Sequence, residues 1–343
     1  METKRAIKRF SMLTLTVLFV VGLWSPVQAQ VAWKFQSLLN PGHMTPDAEI
    51  WMSKEIEKRT DGKFKIEVFT GAALGFAGPR NLITVGQGVL DSAEIWAPHV
   101  SGDFRMLEIA VLHELIPFDV PLRKEIINEI FPTQEKLLRE RFNVKGFWQV
   151  QVEPRNIYTK KPVKRLSDLK GMKIRSEGIL ENEFTKAIGA TPLTLAWGDI
   201  YTSLQQGVID GYWVTHSGTF NAKFYEHAKY CLELNTGGST TLFIANLDKF
   251  NKLPPDFQKI LIEVSQQAAN MMWDRVVPDV ESFKKQLQGV GMTFYAPHPD
   301  DAKLTKKVGP KIWDMWLEKA EPGTKEMLSK IKARVAAWEK KKS

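Results

Sequence analysis

The sequence predicts an α/β protein with two lobes, and three observations support this fold class. The chain has 343 residues, which is long enough for two lobes with separate hydrophobic cores. From residue 31 onwards, strand-like runs with alternating apolar residues take turns with amphipathic, helix-like runs. The first of these runs follow the order β-α-β-α-β, which is typical of a parallel sheet with crossover helices.

The N-terminus has the pattern of a cleavable signal peptide, which we assign to residues 1–29. Basic residues precede an apolar run at 12–24, and Ala29 is a small residue suited to cleavage. The basic residues are Lys4, Arg5, Lys8 and Arg9. The apolar run is too short for a membrane span, and no cysteine near Ala29 could carry a lipid anchor. We therefore expect a soluble periplasmic protein after cleavage near Ala29.

The charge distribution argues against nucleic-acid binding, and the cysteine content excludes an internal disulfide. Removing 29 of the 343 residues leaves 314, and the net charge falls from +8 to about +5. This excess is spread along the chain, apart from the cluster Lys340 to Lys342, so nucleic-acid binding is not expected. Cys231 is the only cysteine, which excludes an internal disulfide. We expect Cys231 to be a small buried hydrophobe.

The first part of the mature chain contains the elements of one lobe. Strands are predicted at 31–39, 64–69, 89–96 and 144–152, and helices at 43–59, 80–85 and 122–141. Residues 64–69 are the clearest strand, since Phe, Ile and Val alternate there with Lys and Glu. Near Glu153 and Pro154 the chain should cross to the second lobe.

The second part continues the alternation and then becomes helical. Strands are predicted at 172–176, 192–195, 208–213, 240–247 and 292–295, and helices at 180–188, 199–206, 254–288, 299–319 and 323–342. Pro278 should kink the helix at 254–288. Aromatic residues at helical spacing near the C-terminus are expected in the core, namely Trp313, Trp316 and Trp338.

Two arginines are the main candidates for ligand binding. Arg175 ends a strand-like run just before a helical segment that begins at Gly178, and Arg155 begins another strand-like run. Open α/β sheets bind ligands outside the carboxyl ends of their strands. A guanidinium can donate two parallel hydrogen bonds to a carboxylate. The alternative is that both are ordinary surface arginines.

Four aromatic residues are candidates for the walls of the site: Trp96, Trp148, Tyr212 and Trp213. Trp96 follows the third strand, where it could stack on a ligand or cap a core. Tyr212 and Trp213 alternate along a strand, so at most one should face the cleft unless the strand has already ended. We interpret His43 and His99 as loop or capping residues in preference to ligand contacts.

No pattern of enzyme chemistry is present in the sequence. There is no H-E-x-x-H, C-x-x-C, G-x-S-x-G or Walker motif, and the six histidines are scattered. We therefore predict no catalytic residue, no cofactor and no metal. Carboxylates such as Glu153 and Asp210 cannot be assigned to catalysis from sequence, and Asp210 is expected to form a structural turn.

Several segments together resemble the extracytoplasmic solute-binding proteins of TRAP transporters, the DctP-like family. The central signature is LSDLKGMKIR at 166–175, ATPLT at 190–194 and SLQQGVIDG at 203–211. Supporting segments are GAALG at 71–75, GVLDSAE at 88–94 and PFDVP at 117–121. Their order and spacing run through most of the mature chain, although no single segment is specific.

The resemblance implies a two-lobed periplasmic binding protein-like fold with mixed sheets, crossing hinge strands and a long helix that spans both lobes. We expect lobe 1 at 30–152 with 241–280, lobe 2 at 153–240 with 281–310, and C-terminal helices at 311–343. The two lobes would close on an organic acid. Arg175 would bind its carboxylate, and Arg155 would be a second donor or an orienting neighbour.

The resemblance also implies partners, namely small and large membrane subunits of a permease driven by an ion gradient. In relatives that bind sialic acid, an asparagine matches Val214, so a polyhydroxylated ligand is disfavoured and a smaller or flatter acid is expected. Some relatives hold a cation beside the organic acid, and a co-bound cation is an alternative for this site as well. We expect a monomer. Alternatives are a protein that presents a ligand to a membrane sensor, or a secreted enzyme acting on acidic substrates.

Overall fold

The computed structural model describes residues 30–76 and 78–342, so the expected signal peptide lies outside the described residues. The strands are β1 (Val31–Gln36), β2 (Phe64–Phe69), β3 (Ser92–Trp96), β4 (Val144–Gln151), β5 (Arg155–Thr159), β6 (Lys173–Ser176), β7 (Thr191–Thr194), β8 (Gly211–Val214), β9 (Tyr230–Thr236), β10 (Thr240–Asn246) and β11 (Thr293–Tyr295). The helices are α1 (Met44–Arg59), α2 (Gly78–Gly86), α3 (Val120–Phe142), α4 (Ile179–Ala187), α5 (Ile200–Gln206), α6 (His216–Asn221), α7 (Leu247–Asn251), α8 (Pro255–Gly289), α9 (Pro299–Leu317) and α10 (Thr324–Lys342). The predicted α/β fold is confirmed.

The first sheet has the strand order β2-β1-β3-β10-β4. Strand β1 is parallel to β2 and β3, which is the predicted β-α-β-α-β arrangement, whereas β10 is antiparallel to β3 and β4. Its inward-facing residues, including Phe35, Ile95 and Phe243, are fully buried. The sheet is mixed because the chain returns to it from the second sheet through β10.

The second sheet has the strand order β11-β9-β5-β8-β6-β7. Strands β6, β7 and β8 are parallel, and β5 is antiparallel to both β8 and β9. Gly211 begins β8 where a Cβ atom would lie 2.3 Å from the carbonyl oxygen of Tyr158 on β5. Asp210 accepts a hydrogen bond from the backbone N–H of Lys173, the first residue of β6, at 2.8 Å, so its carboxylate connects the segment before β8 to β6.

Three segments connect the two sheets. The chain passes from β4 to β5, returns from β9 to β10, and then runs along α8, which contacts α1, β4 and α6. Arg275 of α8 pairs with Asp47 of α1 at 2.9 Å, and Lys284 of α8 pairs with Glu233 of β9 at 2.7 Å. The long helix is therefore held to the elements of both sheets.

Some element bounds differ from those predicted. Strand β3 begins at Ser92 instead of residue 89, and β8 begins at Gly211 instead of residue 208, because Gly88 and Gly207 adopt left-handed backbone angles and the residues after them still form turns. Three of these elements, α6, α7 and β9, were not predicted. Helix α8 continues through Pro278. Cys231 is fully buried in the core of the second sheet, as predicted.

Candidate functional site

A cavity of about 520 Å³ lies between the two sheets. Most of the segments that line it lie at or after the carboxyl ends of parallel strands, namely β1, β2 and β3 in the first sheet and β6, β7 and β8 in the second, and the connection from β4 to β5 also contributes. This is where open α/β sheets place their ligands. The lining residues used below are Leu38, Leu39, His43, Met44, Trp96, His99, Glu153, Arg155, Arg175, Glu177, Trp197, Val214 and Ser217.

Arg175 lies on β6 and lines the cavity with only 3% of its surface exposed. Its Nε donates a hydrogen bond to the carbonyl oxygen of Leu195 at 3.1 Å, which fixes the direction of the side chain. Burial lowers the pKa of Arg175 to about 10, so the guanidinium stays charged at neutral pH. Within residues 30–76 and 78–342, no carboxylate forms an ion pair with it.

Arg155, on β5, also lines the cavity, but two carboxylates compensate its charge. Its Nη1 pairs with Glu181 at 2.9 Å, and its Nη2 pairs with Glu177. Glu181 also accepts a hydrogen bond from the backbone N–H of Glu177 at 2.7 Å. The two candidate arginines therefore differ: Arg155 is held in a network of charges, whereas Arg175 has free hydrogen-bonding capacity towards the cavity.

His99 extends this network on the side of the first sheet. Its Nε2 lies 2.8 Å from Glu177, and its ring stacks on Trp96 with 6.3 Å between the centroids. Burial, together with the positive charges of Arg155 and Arg175, lowers the pKa of His99 to about 4, so the ring is neutral at neutral pH. Sequence reasoning favoured a loop or capping role for His99, and it also lines the cavity.

Trp96 is the last residue of β3 and forms part of the cavity wall. Its Nε1 donates to Glu94 at 2.7 Å, and the same carboxyl group accepts from the backbone N–H of Leu38 at 2.9 Å. Burial raises the pKa of Glu94. Glu94 thus orients an indole ring and a loop of the wall, and the indole N–H of Trp96 is already used.

The other three aromatic candidates do not line the cavity. Trp148 packs against Phe243 in the core of the first sheet. Trp213 is fully buried, and its Nε1 donates to Thr185 at 2.8 Å. Tyr212, on the opposite face of β8, stacks on Tyr158 with centroids 5.2 Å apart. Both faces of β8 are covered, so neither Tyr212 nor Trp213 contacts the cavity.

Sequence reasoning did not select several residues of the wall. Trp197 follows β7 and is 39% exposed, and Glu177 directly follows β6. Glu153 is buried, accepts a hydrogen bond from the backbone N–H of Ser217 at 3.2 Å, and has its pKa raised by burial. The signal that could have found Trp197 and Glu177 is their position just after a strand end, the same signal that selected Arg175.

Besides the pair of His99 and Glu177, a hydrogen bond joins the two sides across the cavity. His43, just before α1, has its Nε2 at 3.3 Å from Nδ2 of Asn221, the last residue of α6. Burial lowers the pKa of His43 to about 4. Because α1 packs with the first sheet and α6 follows β8 of the second, this hydrogen bond can form only while the two sides lie close together.

The described part of the chain has neither a membrane-spanning helix nor a cluster of metal ligands. No helix within it is long and apolar enough to cross a membrane. Among the same residues, no three His, Cys, Asp or Glu side chains cluster in an arrangement suited to a metal ion.

The fold and the site define a class of protein. Two mixed α/β sheets joined by three crossing segments, with a charged cavity between them, are the architecture of a two-lobed solute-binding protein. The model of bacterial extracellular solute-binding proteins, family 7 (DctP), matches residues 37–319, and the chain belongs to this family. The resemblance found in the sequence is therefore confirmed. The family consists of solute-binding receptors and not of enzymes.

Relatives and solved structures agree with this assignment. A solute-binding protein of Verminephrobacter eiseniae is 29% identical over 271 residues, which cover 75% of this chain and 77% of the relative. An extracytoplasmic solute receptor of Bordetella pertussis that binds pyroglutamic acid has a TM-score of 0.83 at 20% identity, covering 88% of this chain and 99% of that one. A TRAP periplasmic solute-binding protein of Desulfovibrio salexigens with bound orotic acid has a TM-score of 0.82 at 21% identity, covering 89% and 99%.

Proposed function

We propose that this protein captures an organic acid in the periplasm by closing its two lobes around the ligand, and delivers it to the membrane subunits of a TRAP transporter. The observation that carries the proposal is Arg175, a buried cation that lines the cavity and has no carboxylate partner among the described residues. A buried charge is costly unless it is paired. A ligand carboxylate would supply the missing partner.

The geometry around Arg175 suits an anion with two acceptor oxygens, such as a carboxylate. Its Nε is held by the Leu195 carbonyl group, so the two terminal nitrogens are left for a planar, two-oxygen acceptor. Arg155 is the orienting neighbour in this proposal, because Glu177 and Glu181 already accept hydrogen bonds from its two terminal nitrogens. Relatives in Bordetella pertussis and Desulfovibrio salexigens bind carboxylic acids, which supports the same ligand class here.

Closure of the lobes is the proposed mechanism of capture. Arg175 and Trp197 belong to the second sheet, whereas Trp96 and His99 belong to the first. A ligand that touches both sides gains these contacts only in the closed state, and it shifts the equilibrium towards closure by that difference in free energy. The contact between His43 and Asn221 is an additional interaction of the closed state.

The test is a ligand screen followed by one substitution. The mature protein, starting at Gln30, is screened by thermal shift against small acids, sugars and amino acids. A ligand at one hundred times its dissociation constant adds about 2.7 kcal/mol to the free energy of unfolding, so a true ligand raises the midpoint measurably. We expect hits confined to carboxylic acids.

Arg175→Ala should then lose roughly 3–5 kcal/mol of binding free energy for the acid found, because the ligand carboxylate would be buried without a partner. The matched control is Arg139→Ala, which removes a half-exposed arginine on α3 away from the cavity and should leave affinity unchanged. Hits only among neutral compounds, or near-normal affinity of Arg175→Ala in calorimetry, would refute the role of Arg175.

A further inference from the structure

Two arginines and two glutamates at the cavity balance each other's charge before any ligand binds. Arg155 and Arg175 contribute two positive charges, and Glu177 and Glu181 contribute two negative charges close to Arg155. The cluster is therefore neutral as a whole, although Arg175 itself has no ion-pair partner among the described residues. One ligand carboxylate on Arg175 already leaves this buried cluster with a net negative charge.

Among the described residues of the cavity wall, a second carboxylate on the ligand would meet no compensating cation. The titratable residues that line the cavity besides the two arginines are His43, His99, Glu153 and Glu177. Burial keeps the pKa of both histidines near 4, so neither carries a positive charge at neutral pH. The two glutamates can only repel a second anionic group when they are ionised.

Glu177 is the carboxylate best placed to do this. Arg175 is the third residue of β6, and Glu177 directly follows the end of that strand. Both residues line the cavity. The carboxyl group of Glu177 is held by Nη2 of Arg155 and lies 2.8 Å from Nε2 of His99. These two contacts keep the negative charge ordered beside the position of a ligand bound to Arg175.

The rest of the wall is mainly apolar and partly aromatic. Its larger apolar members include Leu38, Leu39, Met44, Trp96, Trp197 and Val214. Hydroxyl groups line it too, but that of Thr194 is bonded to Asn182, and those of Thr215 and Ser217 are bonded to each other. The indole N–H of Trp96 is already bonded to Glu94 and cannot serve a ligand hydroxyl group. Trp197 packs on Phe224 with ring centroids 5.2 Å apart, which supports it from behind. Such walls favour a flat, apolar ligand body over a polyhydroxylated one.

We propose that the cavity selects acids with a single carboxylate and a flat apolar body, and that Glu177 determines this selectivity by excluding a second carboxylate. The inference rests on the proposed function, because it takes Arg175 as the anchor of the ligand carboxylate. It adds that the protein rejects dicarboxylates. It also adds that Glu177, and not Arg175, decides between acids with one carboxylate and acids with two.

The test uses pairs of probes that differ by one charge. Terephthalate and monomethyl terephthalate form a flat aromatic pair, and succinate and monomethyl succinate form a flexible aliphatic pair. Their affinities are measured by calorimetry at about pH 7.5, where all free carboxylates are ionised. For the wild type we expect monomethyl terephthalate to bind about tenfold or more tightly than terephthalate. We also expect the aromatic monoester to bind more tightly than the aliphatic one.

Glu177→Gln should narrow the ratio within the aromatic pair, because it removes the charge and keeps the size of the side chain. The matched control is Glu183→Gln on the outer face of α4, where the carboxylate pairs with Lys186. That variant should keep the wild-type ratio. If Glu177→Gln does not fold, Glu181→Gln serves instead, because it removes a negative charge from the same cluster without changing the cavity wall, and it should narrow the ratio as well.

The outcomes separate this inference from the proposed function. Tighter binding of the diacids by the wild type overturns the selectivity assigned to Glu177. So does an unchanged ratio in Glu177→Gln or, where that variant does not fold, in Glu181→Gln. If Arg175→Ala still abolishes binding of those acids, capture through Arg175 stands. Binding of the aliphatic pair alone, or of neither pair, overturns the flat apolar class. Binding of neutral solutes alone removes both proposals.

Discussion

The two carboxylates beside Arg155 make a sharp test of the electrostatics of the site. Both side chains are almost fully buried, with 10% of Glu177 and 8% of Glu181 exposed, and Arg155 pairs with each of them. Arg155→Met keeps much of the side-chain volume and removes the charge. Two buried carboxylates would then share one region without the cation that compensates them.

The magnitude follows from this burial. Removing one partner of a buried ion pair costs about 3–5 kcal/mol, because the remaining charge is left uncompensated. The comparison is Arg334→Met on α10, where the arginine is 47% exposed and pairs with a 63% exposed Glu125 at 2.7 Å. Solvent screens such a pair, so that substitution should cost less than about 1 kcal/mol.

The assay is urea denaturation, since urea leaves charge interactions unscreened, with tryptophan fluorescence and circular dichroism recorded together. Measurements at about pH 7.5 and about pH 5 add a second criterion. Protons taken up by the two unpaired carboxylates in the folded variant should reduce its deficit at the lower pH. A stability loss no larger than that of Arg334→Met, or a deficit independent of pH, would refute the interpretation of Glu177 and Glu181 as buried charges held by Arg155.

Three other variants test the close approach at Gly211, the raised pKa of Glu108 and the structural role of Trp213. Gly211→Ala places a Cβ atom 2.3 Å from the Tyr158 carbonyl oxygen, so its free energy of unfolding should fall by about 1–3 kcal/mol in urea denaturation. Gly198→Ala, with no atom within 4 Å of the new Cβ, should not change it. Burial raises the pKa of Glu108 from 4.5 to about 7, so the folded state keeps a proton that the unfolded state releases, and wild-type stability falls as pH rises through this window. Glu108→Gln lacks this proton, and its stability relative to the wild type should rise between about pH 5 and about pH 7 in the same assay; a constant difference would contradict the raised pKa. Trp213→Phe removes a hydrogen bond to a buried threonine and should cost about 1–3 kcal/mol of stability, while calorimetry with the acid ligand should show unchanged affinity; a large loss would place Trp213 in the binding site.

The elements that the sequence predicts well are those whose apolar pattern has a single explanation. The alternation at Phe64–Phe69 gives β2 with its observed bounds, and the long amphipathic run gives α8 within a residue at each end. Arg175 was selected by the rule that ligands bind at strand ends, and it lines the cavity. Trp96 lines the cavity for the same reason.

Sequence reasoning reached its limit where three-dimensional neighbours decide the role of a side chain. Strand β8 lies inside its sheet and both its faces are covered, so alternation could not tell whether Trp213 or Tyr212 faces the cavity, and neither does. Glu177 and Arg155 are far apart in sequence, and their ion pair depends on how β5 and β6 are placed. A charge pattern along the chain contains no signal for such a pair.

The place of β10 in the first sheet has a consequence for how the chain emerges during synthesis. Strand β10 lies between β3 and β4, and within the described residues it is the only sheet partner of β4. A nascent chain that ends before Thr240 therefore has a β4 without any partner and a β3 with one open edge. Open strand edges next to exposed apolar side chains promote association between chains. The first lobe cannot finish folding until most of the second has been made, so a growing chain needs shielding until residue 246 is available.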